Sequence, residues 1–252
     1  MTSGNHPDLW RAQLPAKTKD SHKYQHGHAL IYAAPELTGA TCLAATACAR
    51  MGTGLVTVLA DADIVSVYRT VLPAHILVRG DLDWQDSRVT ARLYGSGGLS
   101  VIPDFTAGIP VVLDADALSN LPRLLTKNYI LTPHDGEFDR AFPDFKGSRL
   151  DRAKAAAAES GAHIVLKGAE SIIVAPDGRY VINHHATPHL ASAGTGDVLA
   201  GMITGFLARD MPVFEAACAS VWIHGECGRR IGSGLVASDI SDQIPAVMSG
   251  FL

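Results

Sequence analysis

Aromatic residues are scarce in this 252-residue sequence, at 6%, so no stacking platform for single-stranded nucleic acid is laid out. Positive charge is not in excess either. There are 21 Lys and Arg against 25 Asp and Glu, a net charge of −4 and a pI near 6.2, and no basic stripe to neutralise a phosphodiester backbone. Nucleic acid is therefore not an expected partner. Long hydrophobic runs are missing as well: the longest nearly uncharged stretch, Val198 to Ala208, is about half of what spans a bilayer and contains Gly201, Thr204 and Gly205. It reads as a buried helix, and no membrane partner is expected. The opening MTSGNHPDLW has no basic segment followed by an apolar run, so a secretory signal is not expected and a cytoplasmic protein is. Cysteine is limited to Cys42, Cys48, Cys218 and Cys227, never in a C-x-x-C pair and always in Ala-rich or apolar surroundings. That pattern fits reduced, packed thiols. With no fixed-period repeat and no low-complexity linker, one domain is the expected organisation.

What is present is a large apolar fraction, 47%, with 18% charged residues, 24 Gly and 13 Pro, a profile that excludes disordered, collagenous and coiled-coil chains. Residues 1 to 27 are polar and aperiodic and predict a segment lying over the domain, with 1–22 as a leader. Then Ala29 to Ala34 reads as a buried strand, Gly39 to Met51 as a helix and Leu55 to Ala60 as a second strand, a β-α-β unit. Short apolar runs continue at His75 to Val78, Ala91 to Tyr94, Pro110 to Leu113, Tyr129 to Leu131 and His163 to Leu166. Pro176-Asp177-Gly178 between Ser171 to Ala175 and Arg179 to Asn183 predicts an antiparallel hairpin. Helices are predicted over Gly196 to Arg209, Val213 to Gly228 and Ser238 to Met248. The expected fold is a three-layer α/β/α sandwich with a mostly parallel central sheet.

In such a sheet, ligands collect at the carboxyl ends of the strands, where loops converge and helix N-termini point outward. Four of those ends carry chemistry. Ser192-Ala193-Gly194-Thr195-Gly196-Asp197 runs into a helix, so its amides can hold a phosphate or a developing oxyanion. Asp197 there is either a helix-start charge or a catalytic base beside an anion hole, and the Gly-x-Gly-Asp context favours the base. Asp114 and Asp116 follow a strand and either bind Mg²⁺ or cap a helix, with capping favoured for Asp116. In Thr132-Pro133-His134-Asp135-Gly136-Glu137, Glu137 is either an acidic first-turn residue or the organiser of a water-bound metal, and His134 can donate to a ligand. Lys167-Gly168-Ala169-Glu170-Ser171 offers a point charge for phosphate and an accessible backbone, against the alternative of a surface lysine. The turn Gly95-Ser96-Gly97-Gly98 can approach a ligand closely. His184, His185 and His189 lack a completing Cys or carboxylate and read as a polar loop, and His224 as a packed helical histidine.

Taken together, these residues resemble the nicotinamide-hydrate dehydratase family of the ribokinase-like superfamily over about Tyr24 to Pro245. The markers are Leu37-Thr38-Gly39-Ala40, Gly52-Thr53-Gly54-Leu55-Val56-Thr57, Asp114 to Leu118, Thr132 to Glu137, Lys167-Gly168-Ala169, Ala193 to Gly201 and Ala237-Ser238-Asp239, in that order. The resemblance implies a ribokinase-like enzyme that uses ADP or ATP, with ADP favoured, and Mg²⁺. It would phosphorylate the ring hydroxyl of hydrated NADH or NADPH, after which phosphate loss restores the double bond. It implies Asp197 as base, with Gly194, Thr195, Gly196 and Asp197 forming the anion hole. Ala40, Gly97, His134 and Asp197 would contact substrate; Lys167, Gly168, Ala169, Glu170, Ser171 and Gly196 would contact nucleotide; Glu137 would help hold the metal, to which the strand-end position adds Asp114 as a candidate. A homo-oligomer is expected, and a possible epimerase for the same hydrates would be a separate chain. Ser96 stands where the family's G-P-G-L-G turn has Pro, Thr187-Pro188-His189-Leu190 replaces N-P-G-M, and Ser171 stands where Thr is frequent. The rival reading is a small-metabolite kinase of the same fold, for hydroxymethylpyrimidine or thiazole. A nicotinamide oxidoreductase is disfavoured, because Pro35-Glu36-Leu37-Thr38-Gly39-Ala40 is not G-x-G-x-x-G.

Overall fold

A computed structural model of the chain describes residues 4–106, 108–119 and 121–251. Among these residues the strands are β1 (His28–Tyr32), β2 (Leu55–Leu59), β3 (Leu77–Arg79), β4 (Ala91–Tyr94), β5 (Val111–Leu113), β6 (Tyr129–Leu131), β7 (His163–Leu166), β8 (Ser171–Val174) and β9 (Tyr180–Asn183). The helices are α1 (Thr38–Arg50), α2 (Val65–Val71), α3 (Asp135–Ala141), α4 (Arg149–Ser160), α5 (Thr195–Ala208), α6 (Val213–Ile231) and α7 (Ala237–Met248). One sheet runs in the order β3-β2-β1-β4-β5-β6-β7-β8-β9; neighbours from β3 to β7 are parallel, and β7, β8 and β9 pair antiparallel, as the hairpin predicts.

The central strands are buried on both faces, which is why the sequence shows them as nearly unbroken apolar runs. Successive side chains alternate between layers: Ile31, Leu93, Val112 and Val165 lie in the core shared with α1, α5, α6 and α7, whereas Leu113, Leu131, Ile164 and Leu166 pack with residues of α3 and α4. Helix α5 is the expected buried helix. It approaches α1 so closely that a Cβ on Gly201 would meet the Ala44 carbonyl oxygen at 2.1 Å. No helix among the described residues is long and apolar enough to cross a membrane. All four cysteines are free, and burial pushes the Cys48 and Cys227 thiols up to about 12.

Two expectations need correction. The third strand starts at Leu77, because His75 lies in the turn closed by Ile76 N–H donating to the Pro73 carbonyl at 2.9 Å. The N-terminal segment does not merely lie over the domain. Trp10 is wholly buried, with ring centroids 5.8 Å from Trp222 and 5.1 Å from Phe251, and Asn5 Nδ2 donates to Asn183 Oδ1 at 3.0 Å and to the Cys218 carbonyl at 2.7 Å. A lone anchoring Trp in a polar stretch has no periodicity to betray it.

The chain builds β1, β2 and β3 to one side and then returns to place β4 on the other side of β1. That reversal opens a crevice outside the carboxyl ends of β1 and β4.

Candidate active site

The crevice is shaped by glycine. The turn after β4 brings Gly95 and Gly97 to φ values of 100° and 82°. A Cβ on Gly95 would fall 1.9 Å from the Asp114 carbonyl oxygen, and one on Gly97 would fall 2.6 Å from the Leu37 oxygen and 2.7 Å from Ala40 Cβ. Only glycine lets this turn sit against both the start of α1 and the end of β5. Gly97 and Ala40, both expected at the substrate, are thereby brought together.

Between these glycines Ser96 is buried. Its hydroxyl donates to Asp114 Oδ2 at 3.4 Å, and its carbonyl accepts from Thr41 Oγ1 at 3.3 Å. Asp114 follows β5 and is 2% exposed; Thr132 Oγ1, following β6, donates to its Oδ1 at 2.7 Å, and Lys167 Nζ, following β7, lies 2.9 Å from the same oxygen. A buried carboxylate is costly unless paired and hydrogen-bonded, and these three partners meet that demand. Asp114 occupies the N-cap position of the 3-10 turn Ala115–Leu118 without a side-chain cap bond, and Asp116 is exposed in that turn's acidic start. The capping expected of Asp116 is not what the structure uses here. Lys167 Nζ also lies 3.7 Å from Glu137 Oε2. Burial opposes its charge, but Asp114, Glu137 and Asp197 outweigh burial and raise its pKa.

Asp197 sits in the first turn of α5, whose N-cap Gly194 has φ 87° and makes no side-chain cap bond. Its carboxyl pKa is raised to about 6, chiefly by burial and then by Asp114, while Lys167, the nearby Ser96 hydroxyl and its own backbone N–H hold it down. The first helix-internal bond here is Val198 N–H to the Gly194 carbonyl at 3.1 Å, and Thr195 N–H turns to the Ser192 oxygen at 3.4 Å. The Gly194 and Gly196 amides have no acceptor among the described residues. Thr195 serves the loop: its hydroxyl reaches the Leu190 and Ser192 carbonyls at 2.8 and 3.0 Å. A Cβ on Gly196 would lie 3.3 Å from Lys167 Nζ, so glycine leaves the ammonium beside the open amides.

His134 and Glu137 close the N-terminus of α3. His134 Nδ1 accepts from Glu137 N–H at 3.2 Å, and Glu137 Oε2 accepts from His134 N–H at 2.8 Å, a capping box. The first-turn role left open for Glu137 is therefore real, and the same carboxylate also faces Lys167. Among the described residues no three His, Cys, Asp or Glu form a metal cage. Mg²⁺ rarely needs one: it keeps waters and takes one or two carboxylates plus substrate phosphates. Asp114 and Glu137, both within 4 Å of one ammonium, are a donor pair of that kind.

A cavity of about 540 Å³ adjoins the α5 terminus, within the range of small-molecule sites. Lys167, Gly168, Ala169, Ser171 and Gly196 line it, with Ala186, Thr187, Pro188, Leu190 and Ala191 contributing on one stretch and Val221, His224 and Gly225 of α6 on another. Glu170 does not line it; its side chain meets His184 Nδ1 at 2.8 Å. The other loop histidines are also accounted for: His185 pairs with Glu226 at 2.8 Å and stacks on Trp222, and His189 is exposed.

Sequence reasoning missed Ser96, Thr132 and Arg149. Arg149 opens α4 and donates to the Lys167 and Glu170 carbonyls at 2.8 Å each and to Asp135 Oδ1 at 2.9 Å, pinning the Lys167 loop to α3. Gly168 is glycine beneath it, since a Cβ there would lie 2.6 Å from the guanidinium.

Comparison with known proteins gives consistent matches. A model of the NAD(P)H-hydrate dehydratase family matches residues 29–246. The chain is 34% identical over 257 residues to the ADP-dependent (S)-NAD(P)H-hydrate dehydratase of Neisseria meningitidis serogroup B, covering 90% of this chain and 86% of that protein. It is 36% identical over 266 residues to the bifunctional NAD(P)H-hydrate repair enzyme Nnr of Methanopyrus kandleri, covering 96% of this chain and 52% of the relative, so it spans about half the relative's length. The crystal structure of the ADP/ATP-dependent NAD(P)H-hydrate dehydratase from Bacillus subtilis, co-crystallized with ATP/Mg²⁺, superposes with a TM-score of 0.89 at 30% identity over 100% of this chain and 99% of that one.

Proposed function

The chain belongs to the NAD(P)H-hydrate dehydratase family, and on that footing we propose that it returns hydrated NADH and NADPH to their reduced forms at the expense of ADP or ATP. The ring hydroxyl of the hydrate is phosphorylated, and departure of the phosphate restores the double bond. The observation that carries this reading is the half-buried Asp197, its pKa raised to about 6, in the open first turn of α5 and next in the chain to Gly196, which lines a cavity of about 540 Å³. At neutral pH such a carboxylate is mostly ionised and is still basic enough to take a hydroxyl proton.

The α5 terminus supplies the rest. Amides of Gly194 and Gly196, reinforced by the helix dipole, accept the charge on the transferred phosphoryl group, and Lys167 adds a positive charge beside them. Thr195 holds the loop in shape. Gly168, Ala169 and Ser171 form the nucleotide wall, with Glu170 acting through its backbone, held by Arg149. Ala40, Gly97 and His134 border the substrate side. Asp114 and Glu137 would hold Mg²⁺ through oxygen ligands, and the ion would offset negative charge on the phosphates. The reading also assigns the chain a cytoplasmic setting, self-association and an epimerase for the same hydrates as a working partner. The bifunctional repair enzymes among its relatives support a second activity nearby in the pathway of repair.

The test is direct: incubate the protein with hydrated NADH, Mg²⁺ and either ADP or ATP, and follow the return of NADH absorbance. Recovery with one nucleotide and not the other fixes the donor. No recovery with either, together with phosphorylation of a hydroxymethylpyrimidine or thiazole alcohol, would replace the dehydratase with a kinase of the same fold.

A further inference from the structure

Helix α6 forms part of the cavity wall through Val221, His224 and Gly225. His224 is 8% exposed, and its Nε2 lies 2.9 Å from the Thr195 main-chain oxygen. A carbonyl oxygen can only accept, so the Nε2 position must carry the proton. Burial lowers the ring pKa to about 4, against the help of the Thr195 oxygen, so the imidazole is neutral at physiological pH. Nδ1 is left with a bare lone pair.

That lone pair has no hydrogen-bond partner among the described residues, and Nδ1 is not sealed among packed atoms. His224 lines the cavity, so that open edge is available to what the cavity holds. Two of the polar side chains that line the same cavity are committed elsewhere. Asn183 accepts from Asn5 and donates to the His185 carbonyl, and the Thr195 hydroxyl serves the Leu190 and Ser192 carbonyls. Around His224 the wall is apolar, with Ala186, Pro188, Leu190, Leu199 and Val221. A flat ring with an N–H donor on its edge complements an apolar slot that holds one fixed acceptor.

We propose that His224 Nδ1 accepts a hydrogen bond from the exocyclic amino group of the nucleobase and so selects aminopurine over oxopurine nucleotides. The assignment rests on the nucleotide reading of the cavity given above. An oxo group in the same place would set oxygen against a nitrogen lone pair and leave both unsatisfied. A bond of this kind, once lost, corresponds to a roughly tenfold change in affinity.

Calorimetric titration of wild type, His224→Leu and His224→Gln with ADP, IDP and 2′-deoxy-ADP decides it, with thermal melts confirming the fold. Wild type should bind ADP roughly tenfold tighter than IDP, and His224→Leu should bring the two within about twofold by weakening ADP alone. His224→Gln, whose amide can donate to Thr195 and still accept from the base, should keep most of the preference. If His224→Leu fails to fold, His224→Met takes its place. An ADP to IDP ratio unmoved in a folded apolar variant overturns the assignment, as does a loss of discrimination against 2′-deoxy-ADP, which would put the contact on the ribose. Wild type that binds ADP while the ratio ignores His224 sinks only this inference. Wild type that binds none of the three nucleotides sinks the proposed function as well.

Discussion

Helices α3 and α5 both begin at the carboxyl edge of the sheet, and both carry a carboxylate in the first turn. They handle their unpaired amides in opposite ways. In α3 the His134 and Glu137 side chains fold back and satisfy the terminus from within. In α5 the N-cap is a glycine at φ 87° that offers no side chain, no side-chain cap bond forms, and the Gly194 and Gly196 amides stay open. A satisfied terminus stabilises a helix, and an unsatisfied one keeps its dipole and donors for a ligand. A carboxylate in the same helical position thus closes the terminus in one place and is a candidate base in the other.

Asp197→Asn is the strongest challenge to that contrast. It keeps the shape and removes the proton acceptor, so kcat should fall by roughly 10²–10⁴-fold while the Kd for ADP stays within a factor of a few. Unchanged turnover would end the assignment. Lys167→Met follows: Asp114, 2% exposed, would lose its cation, and breaking a buried pair costs about 3 kcal/mol, visible as a drop in Tm. The same change should move the acid limb of kcat/KM to higher pH than in wild type, because Lys167 helps hold Asp197 ionised. A limb that stays in place would mean Asp197 and Lys167 do not communicate.

Much of this contrast is legible in the sequence, and the reason is chemical. Strands buried on both faces appear as apolar runs, and the open terminus of α5 appears as Gly-Thr-Gly-Asp because only small residues leave amides exposed beside a lysine. The partners of Asp114 are a different matter. Ser96, Thr132 and Lys167 follow β4, β6 and β7, and only the sheet order brings their side chains to a carboxylate that follows β5. A serine or threonine after a strand looks like any loop residue until that order is known. Arg149 is hidden for the same reason, since its three bonds go to Asp135, Lys167 and Glu170, far apart in the chain.

Ser96→Ala gives a smaller and more selective effect. The hydroxyl stabilises the ionised form of Asp197, so its loss should raise the acid limb by less than Lys167→Met does, with only a few-fold loss of kcat at pH 8. An unshifted limb would reduce Ser96 to a packing residue of the turn.

The smallest expected effect comes from a second closed terminus. In α4, Ser148 caps Asp151 N–H at 3.2 Å and donates its hydroxyl to Asp151 Oδ2 at 2.6 Å, holding that carboxyl below its ordinary value. Ser148→Ala should lower Tm by about 2–4 °C and leave kcat unchanged, as expected for a cap that does no chemistry. The sign of its pH dependence is fixed. A depressed carboxyl adds stability above its unfolded pKa, near 3.8, and loses it as pH falls through the lower folded value. The gap in Tm between wild type and Ser148→Ala should therefore hold from pH 7 to 5 and narrow below about pH 4. If the gap instead widened in acid, the serine hydroxyl would be serving the protonated carboxyl, and α4 would not be the closed counterpart against which α5 is judged.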